Sequence, residues 1–152
     1  PTLLISASLG EAHSLYRMGR LKDADALYES ISGRWPAALR SDAFALLRYA
    51  DTAGEAKRGP VMREQLLHFY NLYPSRPETP FVLTYLADSY KEAGRWAESS
   101  IFYAALLSQY PEAPMSATAP MNGMAAMFTV AQPTVLTMAP AEKADPRKGK
   151  ED

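Results

Sequence analysis

The feature that most constrains the fold of this chain is an aromatic residue followed by proline, which occurs three times at nearly equal spacing. The pairs are Trp35-Pro36, Tyr73-Pro74 and Tyr110-Pro111. Because a helix cannot continue through proline cheaply, each pair predicts the end of a helical segment. A period of this length is typical of repeat architectures, in which one supersecondary unit is copied along the chain.

Helical periodicity fills the segments between these prolines. Apolar residues recur at spacings of three and four, as in Leu83, Leu86, Ala87 and Tyr90. Thr79 is the expected N-cap of the fifth helix, since a proline suited to the first turn follows it. The pattern predicts six helices, at about 2–18, 21–34, 38–52, 60–73, 79–93 and 96–110.

A glycine lies near the turn of each predicted helix pair, at Gly19, Gly54 and Gly94. In the second pair the stretch AGEAKRGP predicts a turn about three residues longer than the others. The chain is thus expected to form three helical hairpins, at about 5–36, 38–74 and 79–111, within a domain spanning 1–111. One hairpin cannot bury its apolar face alone, so the three are expected to stack.

The residues of these hairpins resemble the tetratricopeptide repeat. The third copy carries the marks Leu83, Leu86, Ala87, Tyr90, Gly94, Trp96, Ser99, Tyr103 and Pro111. The first copy carries Ala12, Leu15, Gly19, Leu21, Ala24, Tyr28 and Pro36, and departs from the pattern at Ser8 and Glu11. The second copy keeps the pattern at Leu46, Leu47, Ala50 and Leu66. The resemblance implies an all-α fold, a right-handed α-solenoid of three such hairpins.

In a solenoid of this family the first helix of each hairpin lines a groove that holds a partner protein. Mapped on this chain, the partner-binding groove is expected to contain Leu9, His13, Tyr16, Phe44, Arg48, Asp51, Phe81, Thr84, Asp88 and Lys91. The alternative is that Phe44 and Phe81 pack internally and the charged residues are only solvated. Members that clamp a terminal carboxylate need Lys and Asn where this chain has Leu9 and His13, which argues against that activity.

Residues 112–152 differ in composition from the repeats. The stretch 113–141 has no charged side chain, and the charged sequence EKADPRKGKED closes the chain. Its prolines exclude a long helix, so an extended, non-helical tail is expected. The candidate partner-binding residues of this tail are Met121, Met124, Met127, Phe128, Val130, Val135, Leu136 and Met138.

Two other interpretations of the tail are open. Its composition also fits a disordered linker. Its methionines also fit a Cu(I)-handling protein, because soft thioethers select Cu(I). Methionine is equally an adaptable apolar residue at irregular protein surfaces.

Composition excludes several classes of function. The formal net charge is −1, which argues against nucleic-acid binding, since phosphates require a basic excess. Cysteine is absent, so disulfides and thiolate chemistry are excluded. The acid pair Asp23 and Asp25 is expected on an exposed face, and His13 and His68 lack companions typical of a base or a metal ligand. We therefore expect no enzyme activity, no metal site and no cofactor.

Together these observations predict a non-enzymatic scaffold or adaptor that binds other protein subunits through the groove and the tail. The repeat endings LYPSRPETP and QYPEAP resemble those of bacterial cell-envelope tetratricopeptide proteins, which implies a periplasmic or envelope location. The alternative is a peptide-binding module located in the cytoplasm. The start at Pro1 indicates processing or a piece of a longer protein, and no membrane span is expected.

Overall fold

The computed structural model describes residues 1–112, and this part of the chain contains helices and no strand. The predicted all-α class is therefore confirmed for these residues. The helices are α1 Thr2–Arg17, α2 Leu21–Arg34, α3 Pro36–Arg40, α4 Ala43–Glu55, α5 Gly59–Leu72, α6 Thr79–Glu92 and α7 Trp96–Gln109.

The long helices pack as consecutive pairs. Helix α1 packs against α2, α4 against α5, and α6 against α7. Neighbouring pairs meet through α2 and α4, through α1 and α4, and through α5 and α6. Each pair therefore covers the apolar side of the next one, as expected for units that cannot bury their apolar faces alone.

All three turns within these pairs have the same backbone geometry. In the first turn the N–H of Arg20 donates to the carbonyl of Leu15, and the N–H of Gly19 donates to that of Tyr16, each at 3.0 Å. These two bonds define a Schellman motif, which ends a helix with one residue in the left-handed conformation. The equivalent bonds are Arg58 to Ala53 and Lys57 to Gly54, then Arg95 to Tyr90 and Gly94 to Lys91.

The second turn corrects two predictions. Gly54 lies inside α4, and the left-handed position is occupied by Lys57, with φ of 60°. Gly19 and Gly94 hold the same position in the other turns, with φ of 75° and 73°. The turn is therefore as long as its counterparts, and the predicted insertion was wrong: α4 continues through Glu55.

The positive φ of Lys57 predicts that glycine at this position would stabilise the protein. A side chain with a Cβ is strained at positive φ, whereas glycine is not. Lys57→Gly should raise the free energy of unfolding by about 0.5–1 kcal/mol, the entropy of glycine in the unfolded chain offsetting part of the gain. Urea denaturation measures this.

The matched control is Gly19→Ala, because a Cβ at Gly19 would meet no atom within 4 Å and would act only through the backbone. It should destabilise the protein by about 1 kcal/mol. A loss of stability in Lys57→Gly would contradict the assignment of strain to this turn.

The aromatic–proline pairs end the second helix of each hairpin in one recurring conformation. Trp35, Tyr73 and Tyr110 have φ between −138° and −130° and ψ between 55° and 65°. The two tyrosines also bond backward along the chain: the Tyr73 hydroxyl donates to the Arg40 carbonyl at 2.7 Å, and the Tyr110 hydroxyl donates to the Pro74 carbonyl at 3.0 Å. Each of the two tyrosines thereby ties the end of its hairpin to the segment that follows the preceding hairpin.

Pro36 ends the first hairpin and also begins another helix. It is the first residue of the short helix α3, a position where its missing N–H costs nothing. The chain breaks at Ser41, and α4 begins after Asp42, whose carboxylate accepts from the N–H of Ala45 at 3.0 Å. The predicted single helix at 38–52 is therefore wrong, and two helices take its place.

The expected capping role of Thr79 is also wrong. Thr79 is the first residue of α6, and Glu78 stands at the N-cap without a side-chain capping bond. The Thr79 hydroxyl instead donates to the Tyr73 carbonyl at 2.9 Å, and Thr79 is fully buried. Its role is to fasten the start of α6 to the end of α5.

Small residues occupy the closest approach between helices. Ala12, Ala50 and Ala87 hold the same position relative to the three turns, and each is 0% exposed. Large side chains fill the equivalent position of the second helices, at Ile31, Phe69 and Leu106, which are at most 1% exposed. The repeat is thus present in the packing as well as in the turns.

Candidate functional site

The predicted partner-binding residues of the tail lie outside the described residues. They are Met121, Met124, Met127, Phe128, Val130, Val135, Leu136 and Met138. The hypotheses on copper and on tail binding accordingly stay predictions.

The predicted groove residues lie on α1, α4 and α6, the first helices of the three pairs. Eight of the ten retain some exposure, Lys91 among them, and we name the other seven the first-helix face: Leu9, His13, Tyr16, Phe44, Arg48, Phe81 and Asp88. Thr84 differs, because it is buried and its hydroxyl donates to the Pro80 carbonyl at 3.0 Å. Phe81 packs partly against the core. Lys91 is exposed near the end of α6, and Asp51 is buried.

Phe44 forms the most exposed aromatic contact of this face. Its side chain is 38% exposed, and two guanidinium groups lie over its ring, Arg48 at 5.5 Å and Arg76 at 4.8 Å from the ring centre. Stacking of this kind holds a guanidinium in place while leaving its N–H edge available. Phe44 therefore orients two arginines from different parts of the chain.

The two arginines differ in their partners. Arg76 donates to both carboxylate oxygens of Glu78, each at 3.2 Å. No carboxylate within residues 1–112 forms an ion pair with Arg48. Arg48 is thus an oriented guanidinium that lies near the hydroxyl of buried Tyr28 and forms no ion pair with a carboxylate of residues 1–112.

His13 shares the positive environment of Arg48. Burial lowers the pKa of His13, and the charges of Arg48 and Arg17 lower it further, whereas Asp42 opposes them. The Nδ1 atom of His13 is buried and has no hydrogen-bond partner. Helices α1 and α4 therefore bring three basic side chains, His13, Arg17 and Arg48, near one another.

Tyr16 and Asp51 form the second cluster, which links α1 to α4. The Tyr16 hydroxyl donates to Oδ2 of Asp51 at 2.7 Å, and Oδ1 of Asp51 is buried without a partner. Burial raises the pKa of the Asp51 carboxyl to about 6, while the bond from Tyr16 opposes that rise. Removing a carboxylate from water favours its neutral form.

Asp88 holds the same position in the third hairpin as Asp51 in the second. Its carboxylate accepts a short hydrogen bond from the hydroxyl of Tyr103 on α7. Burial, together with this bond, raises the pKa of Tyr103 to about 12. Two equivalent aspartates therefore each receive a phenol, one from α1 and one from α7.

The acid pair Asp23 and Asp25 is not arranged as expected. Asp23 is exposed and pairs with Arg20, but Asp25 is only 6% exposed. Asp25 accepts from Arg58 at 2.6 Å and from the Thr52 hydroxyl at 3.2 Å. The prediction that both carboxylates are exposed was wrong, because Asp25, unlike Asp23, lies on the side of α2 that faces α4.

Sequence reasoning missed Arg76 and Tyr103 as neighbours of the groove residues. Arg76 lies in the connection before α6, a segment that helical periodicity does not describe. Tyr103 was assigned to the family pattern, but its partner Asp88 lies on another helix. The sequence held a signal for the contact between Tyr103 and Asp88, since the repeat spacing puts Asp51 and Asp88 at equivalent positions.

Residues 1–112 contain no group of three or more His, Asp or Glu side chains that could hold a metal ion. Over the same residues no helix has both the length and the apolar character needed to cross a membrane. No protein-family model matches the chain, and no curated protein sequence matches it.

Proposed function

We propose that this chain is a non-enzymatic scaffold or adaptor, and that its first-helix face binds an acidic segment of a partner protein. In this proposal the three helix pairs form a right-handed solenoid of the tetratricopeptide type. The identical turns at Gly19, Lys57 and Gly94 support that architecture, because equal turns between equal helices repeat one rotation per hairpin.

The observation that carries the proposal is the state of Arg48. Its guanidinium is oriented by Phe44 and lacks a carboxylate partner among the described residues. Arg76, on the same ring, has its own carboxylate in Glu78. A partner carboxylate would complete the Arg48 site in the way that Glu78 completes the Arg76 site, through charge-assisted hydrogen bonds.

His13 extends the site toward α1. A negative ligand beside His13 would counter the effect of Arg48 and Arg17 and raise the pKa of its imidazole. Binding would then be accompanied by proton uptake and would strengthen as the pH falls. Leu9 and Phe44 add apolar surface to the same face, as recognition of an extended segment requires.

Peptide selection tests the proposal. Random peptides displayed against the full chain should be enriched in Asp and Glu, and a labelled selected peptide should bind in fluorescence anisotropy. Arg48→Gln should weaken that peptide about 10- to 100-fold, the value of hydrogen bonds to a charged group. Arg48→Lys should recover only part of the affinity, because an ammonium lacks the bidentate edge.

Arg34→Gln is the control for net charge, since Arg34 is exposed at the end of α2. It should leave the affinity within about twofold, because a distant exposed charge is screened by salt. Selection of neutral peptides, or equal losses in Arg34→Gln and Arg48→Gln, would contradict the proposed role of Arg48. Failure to select any peptide would contradict peptide binding by this face.

The same proposal includes residues 113–141 as a second contact with partner subunits, which their lack of charge supports. It also places the protein in a bacterial cell-envelope complex, which the resemblance of the hairpin endings supports. Neither part is needed for the test of Arg48.

A further inference from the structure

Asp51 is a buried carboxylate that is only half satisfied. Its side chain lies at the contact between α1 and α4 and is 5% exposed. One oxygen accepts from Tyr16 on α1, and the other has no partner. Buried polar groups without partners are uncommon in folded proteins and cost stability, more so when they are charged.

The charged and titratable groups around Asp51 provide no direct counter-ion. Glu55, one turn further along α4, adds a negative charge that disfavours ionisation. From α6 the hydroxyl of Tyr85 interacts with both Asp51 and Asp88. Helix α2 presents Asp25 to α4, but Arg58 neutralises it.

Arg48 lies one turn before Asp51 on α4 but does not pair with it. The positive charge of Arg48 acts on His13 and Tyr16 of α1. No ion pair with Asp51 is formed by any residue in the range 1–112. From α1 the Tyr16 hydroxyl therefore donates the hydrogen bond to Asp51, and from α6 Tyr85 also lies near the carboxyl.

Helix α1 is attached to the rest of the protein by a small buried surface. Ala12 is its single fully buried residue, whereas α4 and α6 each have nine buried residues. Segments with few buried contacts open at lower free energy than the core does. The Tyr16–Asp51 bond, together with the partly buried side chains of Leu15 and Tyr16, therefore holds the second half of α1.

We propose that the docking of α1 on α4 is a proton-dependent latch. When Asp51 is protonated, it holds Tyr16 and α1 stays closed on α4. When Asp51 is ionised, opening of α1 is favoured. Opening lets water reach the carboxylate and removes the cost of a buried charge. Leu9, His13 and Tyr16 all lie on α1, so the latch would assemble or release three of the seven residues of the first-helix face. The consequence for partner binding rests on the proposed function, whereas the latch itself does not.

The direction of the pH effect follows from linkage. The pKa of Asp51 is raised to about 6 by burial with α1 closed, above the ordinary carboxyl value that water access would restore. Closure is therefore most favourable at low pH, and the advantage is lost as the pH rises through about 6. Between pH 4 and pH 7.5 the ratio of open to closed α1 should increase roughly 50-fold.

Amide hydrogen exchange in the full chain tests the latch. Rates are corrected for the intrinsic effect of pH and compared between amides of α1 and of α6. We expect the protection of α1 amides from Leu9 to Arg17 to fall roughly 50-fold from pH 4 to pH 7.5 relative to α6. Asp51→Asn, which keeps an acceptor for Tyr16, should abolish this fall, because the lowered pKa of His13 on α1 acts in the opposite direction.

Asp88→Asn is the control matched by repeat position, and it should leave the pH dependence of α1 unchanged. Equal pH dependence of α1 protection in the wild type and in Asp51→Asn would overturn the proposal. Should Asp51→Asn fail to fold, the carboxyl carbon of Asp51 can be titrated by NMR in the unmodified chain. A midpoint near 6 supports the latch, and a midpoint near the ordinary carboxyl value of about 3.9 overturns it.

Discussion

Replacing Arg58 with methionine should lower the free energy of unfolding by about 3 kcal/mol, one of the two largest effects that we expect for a single substitution. The guanidinium of Arg58 reaches Oδ2 of Asp25 at 2.6 Å and Oε1 of Glu29 at 2.8 Å. The Asp25 side chain is only 8% exposed, so methionine would leave a buried carboxylate supported by the Thr52 hydroxyl alone. Urea denaturation at pH 7.5 measures the loss.

The repeat supplies a matched control for this effect. Arg20 stands at the equivalent N-cap of α2, but its partner Asp23 is exposed. Arg20→Met should therefore cost less than about 1 kcal/mol, as exposed ion pairs usually do. In the double variant Arg58→Met with Asp25→Asn most of the lost stability should return, because the orphaned charge is removed. Equal losses at Arg20 and Arg58 would show that burial of Asp25 is not the cause.

Phe69→Ala should lower the free energy of unfolding by about 3–5 kcal/mol, through lost apolar transfer and the cavity left behind. Phe69 is 0% exposed in α5, and its ring lies 5.7 Å from that of Tyr73. The Tyr73 N–H also closes the end of α5 on the Phe69 carbonyl at 2.8 Å. Calorimetry should show a lower melting temperature with a single transition, since the hairpins share this core.

Leu72→Ala is the control on the same helix. Leu72 is 51% exposed, so its truncation should change stability by about 0.5 kcal/mol or less. A loss in Phe69→Ala as small as that in Leu72→Ala would mean that α5 does not pack as described. Two separate transitions would contradict a core shared between hairpins.

The helices could be predicted from the sequence because their signals are local. Apolar spacing and proline placed α2 at its observed bounds and most other helices within a residue or two. The prediction failed at 38–52, where the apolar spacing runs on through Ser41 and Asp42. The break there depends on capping of Ala45 by Asp42, a bond that competes with helical continuation and that periodicity does not register.

The second turn shows a different limit. The turn was predicted at Gly54 because glycine is the residue best suited to positive φ. The chain instead places Lys57 there, because the turn falls at the repeat position that Gly19 and Gly94 occupy in the other hairpins. A local preference of about 1 kcal/mol yields to the packing of a whole helix.

Several candidate residues of the first-helix face could be identified from their repeat position, but their burial and their contacts could not. Sequence placed Phe44, Arg48 and Asp51 on one helix. It did not indicate that Arg76 would stack on Phe44, or that Tyr16 would bond Asp51 from α1. These contacts join residues far apart in the chain, so no local pattern encodes them.

The sequence by itself determined the helical class and the approximate length of the repeated unit, because periodicity and proline act over a few residues. Tertiary structure alone decided which charges are buried and which are paired. Asp25 and Asp51 both lie in helices and both are buried, yet one meets Arg58 and the other only a phenol. The physical reason is that the free energy of a charge depends on its distance from water and from other charges, and only the packing of helices sets those distances.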